Sequence, residues 1–170
     1  MKIKDLRGLF ETGLRYIYDC EQKLVEKGLP TMIEASTSAE LRNALSQHLQ
    51  ETRGHVTRLE QVFQIAGAEA KAEDNDIIKE MLDTAKDMAG ATEDGSPLRD
   101  AALIVSGNIV EHYEMAAYGS LVTFAQQLGL RQAVTLLQQT LEEEKAADAK
   151  LTQIGERSVN SQAAQGLRAA

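Results

Sequence analysis

Apolar residues recur at alternating steps of four and three along most of the chain, which is the spacing of amphipathic α-helices. The pattern predicts four long helices, A to D, and one shorter helix between B and C. Helix A covers residues 4–28, helix B residues 37–66, the short helix residues 74–88, helix C residues 96–128 and helix D residues 130–155. No segment alternates convincingly between apolar and polar residues as a strand does, so the sequence predicts an all-α protein.

Local signals mark the ends of these helices. Gly28 and Pro30 interrupt helix A, although a further turn through residues 32–33 is compatible with the pattern. A capping box beginning at Thr37 starts helix B. Ser96, followed by a proline, supplies the N-cap of helix C. These signals leave short connections between A and B and between C and D.

The lengths of the connections favour one bundle topology. Helices A and B are joined by a short segment, as are C and D, whereas residues 68–96 form a long crossover between the two pairs. Two short hairpins with one long crossover are typical of a ferritin-like four-helix bundle. The predicted domain covers residues 1–157. Residues 158–170 are polar and alanine-rich, and we expect them to form a loose tail.

Acidic residues interrupt the apolar stripe of every long helix. In the segment LEEEKAADAKL, residues 141–151, helical spacing turns Glu144 and Asp148 to the apolar face. The same spacing turns Glu142 and Glu143 away from it. The acids on the other stripes are Glu21 on helix A, Glu51 on helix B and Glu114 on helix C. Each long helix therefore carries an inward acid near its middle.

One sequence offset relates the polar residues of the first hairpin to those of the second. The pairs that are 93 residues apart are Glu21 with Glu114, Glu51 with Glu144, and His55 with Asp148. Apolar neighbours such as Ile17 and Val110 keep the same offset. Two hairpins with matching polar positions predict a single site with approximate two-fold symmetry.

Five carboxylates in an apolar interior need a source of positive charge. Taking a lone carboxylate out of water is costly, and several together also repel one another. The apolar stripes hold no lysine or arginine. The acids must therefore bind protons or cations, and two divalent metal ions would supply a charge of +4. Carboxylates with one imidazole suit iron or manganese better than zinc. The sequence predicts two iron ions, or manganese, as the cofactor.

Two further residues border the predicted centre. Glu111 lies one turn before Glu114 on helix C and is a candidate seventh ligand or an alternative position for the metal. His48, on helix B, competes with His55 as the imidazole ligand. We favour His55, because its counterpart under the offset is the polar Asp148, whereas the counterpart of His48 is a leucine.

Charge and composition limit the partners and the location. The formal net charge of −8 argues against binding to nucleic acid or to an anionic membrane. Cys20 is the single cysteine, which excludes an intramolecular disulfide and a thiolate metal cluster. The chain does not open on a basic-then-apolar leader, and no apolar run approaches the roughly 20 residues of a membrane span. The sequence predicts a soluble, cytoplasmic protein.

Four segments carry a resemblance to a known family. They are YDCEQKL on helix A, HLQETRGHVTRLEQVF on helix B, DAALIVSGNIVEHYEMAAYGSL on helix C and LEEEKAADAKL on helix D. They resemble the YciF/YciE-type ferritin-like stress proteins of bacteria, and the similarity runs over residues 4–157. The resemblance implies a ferritin-like homodimer with a rubrerythrin-like dimetal centre and expression under stress. Members of the family have no settled reaction.

The resemblance also implies a set of ligands. The ferritin-like positions fall on Glu21, Glu51, Glu114 and Glu144, with His55 and Asp148 as additional ligands and Glu111 paired with Glu114 as in rubrerythrins. The chain departs from the wider superfamily in two ways. His55 and Asp148 follow their glutamates by four residues rather than three, and helix D carries an aspartate in place of a histidine. A single cysteine cannot form the separate iron module of rubrerythrins, so redox chemistry needs an external electron donor.

The sequence leaves three functions open. The leading hypothesis is a dimetal protein that reduces peroxide or O2 at its metal centre during stress. The second is non-enzymatic metal binding or storage. The third is a metal-independent helical interaction module.

Overall fold

The protein is a bundle of helices in a computed structural model that describes residues 3–166. The helices are α1 (Leu6–Lys23), α2 (Leu29–Ala35), α3 (Ala39–Ala66), α4 (Asp76–Gly90), α5 (Pro97–Gln127), α6 (Arg131–Ile154) and α7 (Asn160–Gly166). Two π-helical turns, Leu24–Gly28 and Gly155–Val159, join α1 to α2 and α6 to α7. The predicted all-α four-helix bundle is confirmed. Its long helices are α1, α3, α5 and α6, and α4 is the short helix of the crossover.

The predicted apolar stripes form one core at the centre of the bundle. On α1, for example, Phe10, Leu14 and Ile17 are buried as their spacing predicts. The turn between α5 and α6 passes through Gly129, whose φ of 72° favours glycine, and it makes these two helices antiparallel neighbours. α5 is the most apolar long helix, yet none of the helices between residues 3 and 166 has a stretch that is long and apolar enough to cross a membrane.

The predicted interruption of helix A at Gly28 and Pro30 is wrong, because the helical chain continues to Ala35. Pro30 has no N–H to donate within an ordinary helical turn. Just before it the hydrogen-bond pattern widens, and the N–H of Leu29 bonds to the carbonyl of Leu24, five residues back. This π-helical turn absorbs the proline and lets α2 follow α1 without a loop.

The N-cap of α3 is one residue later than predicted. The capping side chain is that of Ser38, which accepts from the N–H of Leu41 at 3.3 Å, rather than that of Thr37. Ser96 caps α5 as predicted and accepts from the N–H of Arg99 at 3.2 Å. A serine and a threonine in adjacent positions offer nearly the same capping group, so the sequence does not discriminate between them.

The predicted loose tail is helical up to Gly166. The second π-helical turn and α7 continue the direction of α6, and Val159 is buried in the core. Tail residues 167–170 lie outside the described part of the chain. The boundary placed at residue 157 therefore falls inside a helical segment that packs against α5.

Asp100 ties the start of α5 to the turn that precedes α3. Its side chain is buried, and its two carboxylate oxygens accept from the N–H groups of Thr37 at 2.7 Å and Ser38 at 2.8 Å. Charged hydrogen bonds of this kind contribute more to stability than neutral ones. This contact fixes the two hairpins relative to each other at one end of the bundle.

We expect Asp100→Asn to lower the free energy of unfolding by about 2–3 kcal/mol, because the new NH2 group faces a donor N–H where an oxygen accepted before. The melting temperature should fall by about 5–10 °C. Circular dichroism melts compare this variant with Asp87→Asn, which changes an exposed aspartate of α4. Equal melting temperatures for the two variants would contradict the role of Asp100.

Candidate metal centre

Most of the predicted ligands meet in the middle of the bundle. Glu21 on α1, His55 on α3, Glu114 on α5 and Glu144 on α6 have no exposed surface, although three of them are acids. Glu111, one turn before Glu114, is also buried. The polar side chains within the apolar stripes of the four long helices thus lie at similar positions along the bundle axis and meet there.

Glu144 lies between two histidines and points one oxygen at each. Its Oε1 is 3.0 Å from Nδ1 of His55, and its Oε2 is 3.7 Å from Nε2 of His48. The rings of the two histidines are 6.1 Å apart, centroid to centroid. A carboxylate in this position can bridge two cations, because each of its oxygens serves a different group.

Each histidine also approaches a second glutamate. His55 Nδ1 is 3.4 Å from Glu21 Oε1, and His48 Nε2 is 3.2 Å from Glu111 Oε1. The described residues therefore form two groups able to hold a metal ion, Glu21–His55–Glu144 and His48–Glu111–Glu144, within each of which the ligand atoms lie within 4.8 Å of one another. Glu114, whose charge interacts with those of Glu21, Glu111 and Glu144, lies among them.

Many polar atoms of this cluster lack a hydrogen-bond partner among residues 3–166. They are Oε2 of Glu21, Glu111 and Glu114, both oxygens of Glu144, and Nδ1 of His48 and His55. His55 Nδ1 and Glu144 Oε1 are close, but their alignment is not that of a hydrogen bond. Buried polar groups are nearly always satisfied. Atoms that converge without bonding one another fit a cation placed between them.

Glu143 holds His55 from the other side. Its Oε2 lies 2.9 Å from His55 Nε2 and also pairs with Arg58. The carboxylate accepts a hydrogen bond from the N–H of this ring nitrogen, which in the neutral ring leaves the lone pair of Nδ1 directed toward Glu21 and Glu144. The prediction that Glu143 faces away from the centre is wrong. Its position on α6 borders the buried stripe, and its side chain reaches around to the histidine.

The electrostatics of the centre reflect its excess of acid. Burial raises the pKa of Glu114 well above its usual range, and the charges of the other glutamates add to this effect. Burial also raises the pKa of Glu144, to about 7, against the opposing effect of His55. Burial alone would lower the pKa of His55, but the carboxylates of Glu21 and Glu144 raise it to about 10. In the metal-free protein the cluster therefore retains protons that cations would displace.

Two neighbours of the centre were not predicted from the sequence. Tyr118, fully buried on α5, donates its hydroxyl proton to Glu21. The thiol of the buried Cys20 lies 3.7 Å from Glu114 Oε1. Tyr118 follows Glu114 by four residues on the same helical face, so the spacing of α5 contains the signal that would have found it.

Three predicted ligands lie outside both groups: Glu114, which is buried among them, and Glu51 and Asp148, which lie at the margin of the centre. The side chain of Glu51 is 33% exposed, and its Oε2 is 3.5 Å from His48 Nδ1. Asp148 Oδ1 accepts from Asn108 at 2.6 Å and lies 3.2 Å from Nδ1 of the exposed His112. The structure thus places Glu51 at the edge of the centre and Asp148 on its outer side, next to α5.

Helix geometry explains which residues face inward. Residues seven apart differ in direction by only about 20°, so His48 and His55 point the same way. Residues four apart differ by about 40°. Glu51 lies about 40° to one side of His55 and reaches only the edge of the centre, and Asp148 lies about 40° to one side of Glu144, where it accepts from Asn108. The structure therefore places His48 in the centre as well as the favoured His55, whereas Asp148, the counterpart of His55 under the offset, lies outside both groups.

A cavity lined by both polar and apolar residues opens to the surface between α3 and α6 and reaches the centre; we call it the polar cavity after the polar side chains at its two ends. Its volume is about 230 Å³, and His48 and Glu111 form its inner end. Gln47, Glu51 and Lys150 line its outer part. The neighbouring His48 ring, helped by the hydrogen bond from Gln47, lowers the pKa of Glu51 against the effect of burial. A negative carboxylate therefore stands at the opening.

Residues 5–164 match the model of DUF892, which is described as a domain of unknown function. The chain belongs to this family. It is 38% identical over 171 residues to Protein YciF of Escherichia coli (strain K12), and the match covers 96% of this chain and 98% of YciF. The resemblance to YciF-type proteins is thereby confirmed.

Solved structures of the family have the same fold. The crystal structure of the E. coli stress protein YciF superimposes with a TM-score of 0.88 at 37% identity, covering 93% of this chain and 99% of the other. YcfI from Rhodopseudomonas palustris superimposes with a TM-score of 0.85 at 38% identity, covering 89% and 95%. The family and its fold are established by these matches. They do not assign a reaction.

Proposed function

We propose that the protein binds two iron or manganese ions in the middle of its bundle and reduces hydrogen peroxide or O2 during stress. The main support is Glu144, whose two oxygens face two separate histidine-containing groups. Dimetal proteins of the ferritin-like class bind their metals with glutamates and histidines that project into the bundle in this way. The proposed link to stress rests on the description of YciF as a stress protein.

The donor set fits two divalent cations. Glu21 and His55 would hold one ion, His48 and Glu111 the other, and Glu144 would contact both; Glu114 lies beside them. Four buried carboxylates carry up to −4, which two divalent ions neutralise. Oxygen donors with one nitrogen per ion suit iron or manganese.

Two bound ferrous ions would supply the two electrons that, with two protons, convert hydrogen peroxide to two molecules of water. The surrounding side chains would hold the metal ligands in fixed orientations. Glu143 fixes the ring of His55, and Tyr118 holds Glu21 through its hydroxyl group. Because most of the surrounding core is buried and apolar, the charges of the centre interact more strongly than they would in water.

We propose that Glu51 captures incoming cations rather than serving as a fully buried ligand. It lines the polar cavity, is partly exposed and touches His48. Its lowered pKa keeps it negative at neutral pH. Asp148, which also lies outside both groups, would support α5 through Asn108 instead of binding metal.

The direct test is an anaerobic titration of the metal-stripped protein with Fe(II). We expect saturation at two irons per chain, followed by rapid growth of ferric absorbance when hydrogen peroxide is added.

Glu51→Gln should slow iron uptake while leaving the final stoichiometry unchanged. Saturation below one iron per chain, in a protein that remains folded, would contradict the dimetal centre.

The two alternative functions make different predictions. A storage protein needs a large assembly, so light scattering that shows a monomer or dimer counts against storage. A metal-independent interaction module should have the same melting temperature with and without chelator. A metal bound by the native state should raise that temperature.

Three further properties remain proposals. The resemblance to YciF-type proteins implies a homodimer. The single cysteine of the chain implies an external electron donor. The composition implies a cytoplasmic location.

A further inference from the structure

A second, apolar cavity reaches the same centre from a different side. It lies between α2, α4 and α5, has a volume of about 100 Å³, and also ends at His48 and Glu111. Its walls are formed mainly by Leu24, Met32, Leu82, Leu103, Val110 and Leu151. We call it the apolar chamber. Its outer opening is bordered by the exposed Lys27 and Lys86.

The inner end of the apolar chamber contains an acceptor that lacks a donor. Glu111 is only 3% exposed, and its Oε2 has no hydrogen-bond partner among the residues the structure describes. Leaving a buried carboxylate oxygen unpaired is unfavourable. A ligand with a hydroxyl-type donor at one end would satisfy this oxygen, whereas an anion would be repelled by it.

The two cavities differ in what they can admit. The polar cavity is lined by Glu51, Gln47 and Lys150 and suits a hydrated cation. The apolar chamber suits a molecule with an apolar body, because a charged or strongly hydrated one would lose its water there without compensation. Apolar cavities of about 150 Å³ hold benzene, so this smaller volume suits a body of roughly four to six heavy atoms.

We infer that the apolar chamber binds small organic hydroperoxides and presents their O–O bond to the centre at His48 and Glu111. This inference rests on the proposed function and names its substrate class. The apolar body would occupy the chamber, and the terminal O–H would donate to the carboxylate of Glu111.

The reaction is the same two-electron reduction proposed for hydrogen peroxide. The O–O bond of the hydroperoxide breaks, two electrons from the ferrous ions and two protons are taken up, and the products are one alcohol and one water. The alcohol keeps the apolar body and the hydroxyl group, so it serves as a stable probe of the same chamber.

The first test uses the metal-free protein and does not depend on activity. Tert-butanol is titrated into the labelled protein, and amide chemical shifts are recorded by NMR. We expect saturable shifts around Leu82, Leu103 and Glu111. Pivalate has the same apolar body but an anionic end, and it should produce no such shifts. Absence of saturable shifts with tert-butanol, or equal binding of pivalate, would overturn the inference.

A variant that fills the chamber provides the second test. Ala89 lines the chamber on α4 and belongs to neither metal-binding group. Ala89→Leu should weaken tert-butanol binding at least tenfold. The matched control is Ala116→Leu, on the exposed side of α5, which should bind like the parent protein.

With iron bound, the same variant separates the two substrates. Ala89→Leu should react with hydrogen peroxide at the parent rate and with tert-butyl hydroperoxide at least tenfold more slowly. An unchanged ratio of the two rates would overturn the hydroperoxide assignment. If the protein takes up no iron, the proposed function fails, and the tert-butanol titration still decides whether the chamber binds such a ligand.

Discussion

Glu144→Gln should abolish the binding of both metal ions at once, because this side chain contributes an oxygen to each histidine-containing group. A ligand at 100 times its dissociation constant stabilises the native state by about 2.7 kcal/mol per site. Two filled sites should therefore raise the melting temperature of the parent protein by about 10–20 °C. The variant should show no metal-dependent rise, as measured by calorimetry with Fe(II) under anaerobic conditions.

Glu142, two residues before Glu144, supplies a matched control. Glu142 is exposed and pairs with Lys145, so Glu142→Gln should keep the full metal-dependent rise. Without metal, Glu144→Gln should be more stable than the parent protein at pH 8, because it removes a buried carboxylate from a cluster of acids. A metal-dependent rise of the parent size in Glu144→Gln would show that Glu144 is not shared by the two ions.

The metal-free protein should lose stability as the pH rises from 5 to 9. The folded state raises the pKa of Glu114, Glu144, His48 and His55. It therefore binds more protons than the unfolded chain over this range, and stability falls with increasing pH. For Glu144, the rise from 4.5 to about 7 corresponds to a loss on the order of 3 kcal/mol. His55 extends the decline to about pH 10.

Metal should reverse this trend. Cations bind the deprotonated ligands, so the stabilisation by metal grows as protons leave. Melting temperatures measured at pH 5, 7 and 9, with metal and with chelator, should diverge steadily. Glu144→Gln should have a shallower decline in the chelated state. A chelated parent protein whose stability rises over this range would contradict the protonated cluster.

The sequence was sufficient for the fold because its signals are local and repeated. The apolar stripes of α1, α3, α5 and α6 each contain several turns, and the connection lengths restrict how four such helices pack. The errors occurred where one residue type permits two outcomes. Pro30 usually ends a helix, but a π-helical turn absorbs it here. The polar segment after residue 157 lacks a clear apolar stripe, yet it packs on the bundle, with Val159 buried in the core.

The site was only partly predictable, because the direction of a side chain depends on angles of a few tens of degrees. The stripes predicted that Glu21, Glu114 and Glu144 face the interior, and all three are buried. The offset between hairpins, however, gave equal weight to His55 and Asp148, which the structure separates. Glu143 shows the opposite error, because it was predicted to face away from the centre and reaches it. It lies beside the stripe, and the length of its side chain brings it to His55.

α4 forms one wall of the apolar chamber but supplies no residue to either metal-binding group between residues 3 and 166. The helices that build the centre are constrained by one another, since a change in any of them moves a ligand. α4 is free of that constraint. Under the proposed function, mutations along its inner face would change which molecules enter the chamber. Members of the family would then differ in substrate preference through this crossover helix, while the residues of the two metal-binding groups stay the same.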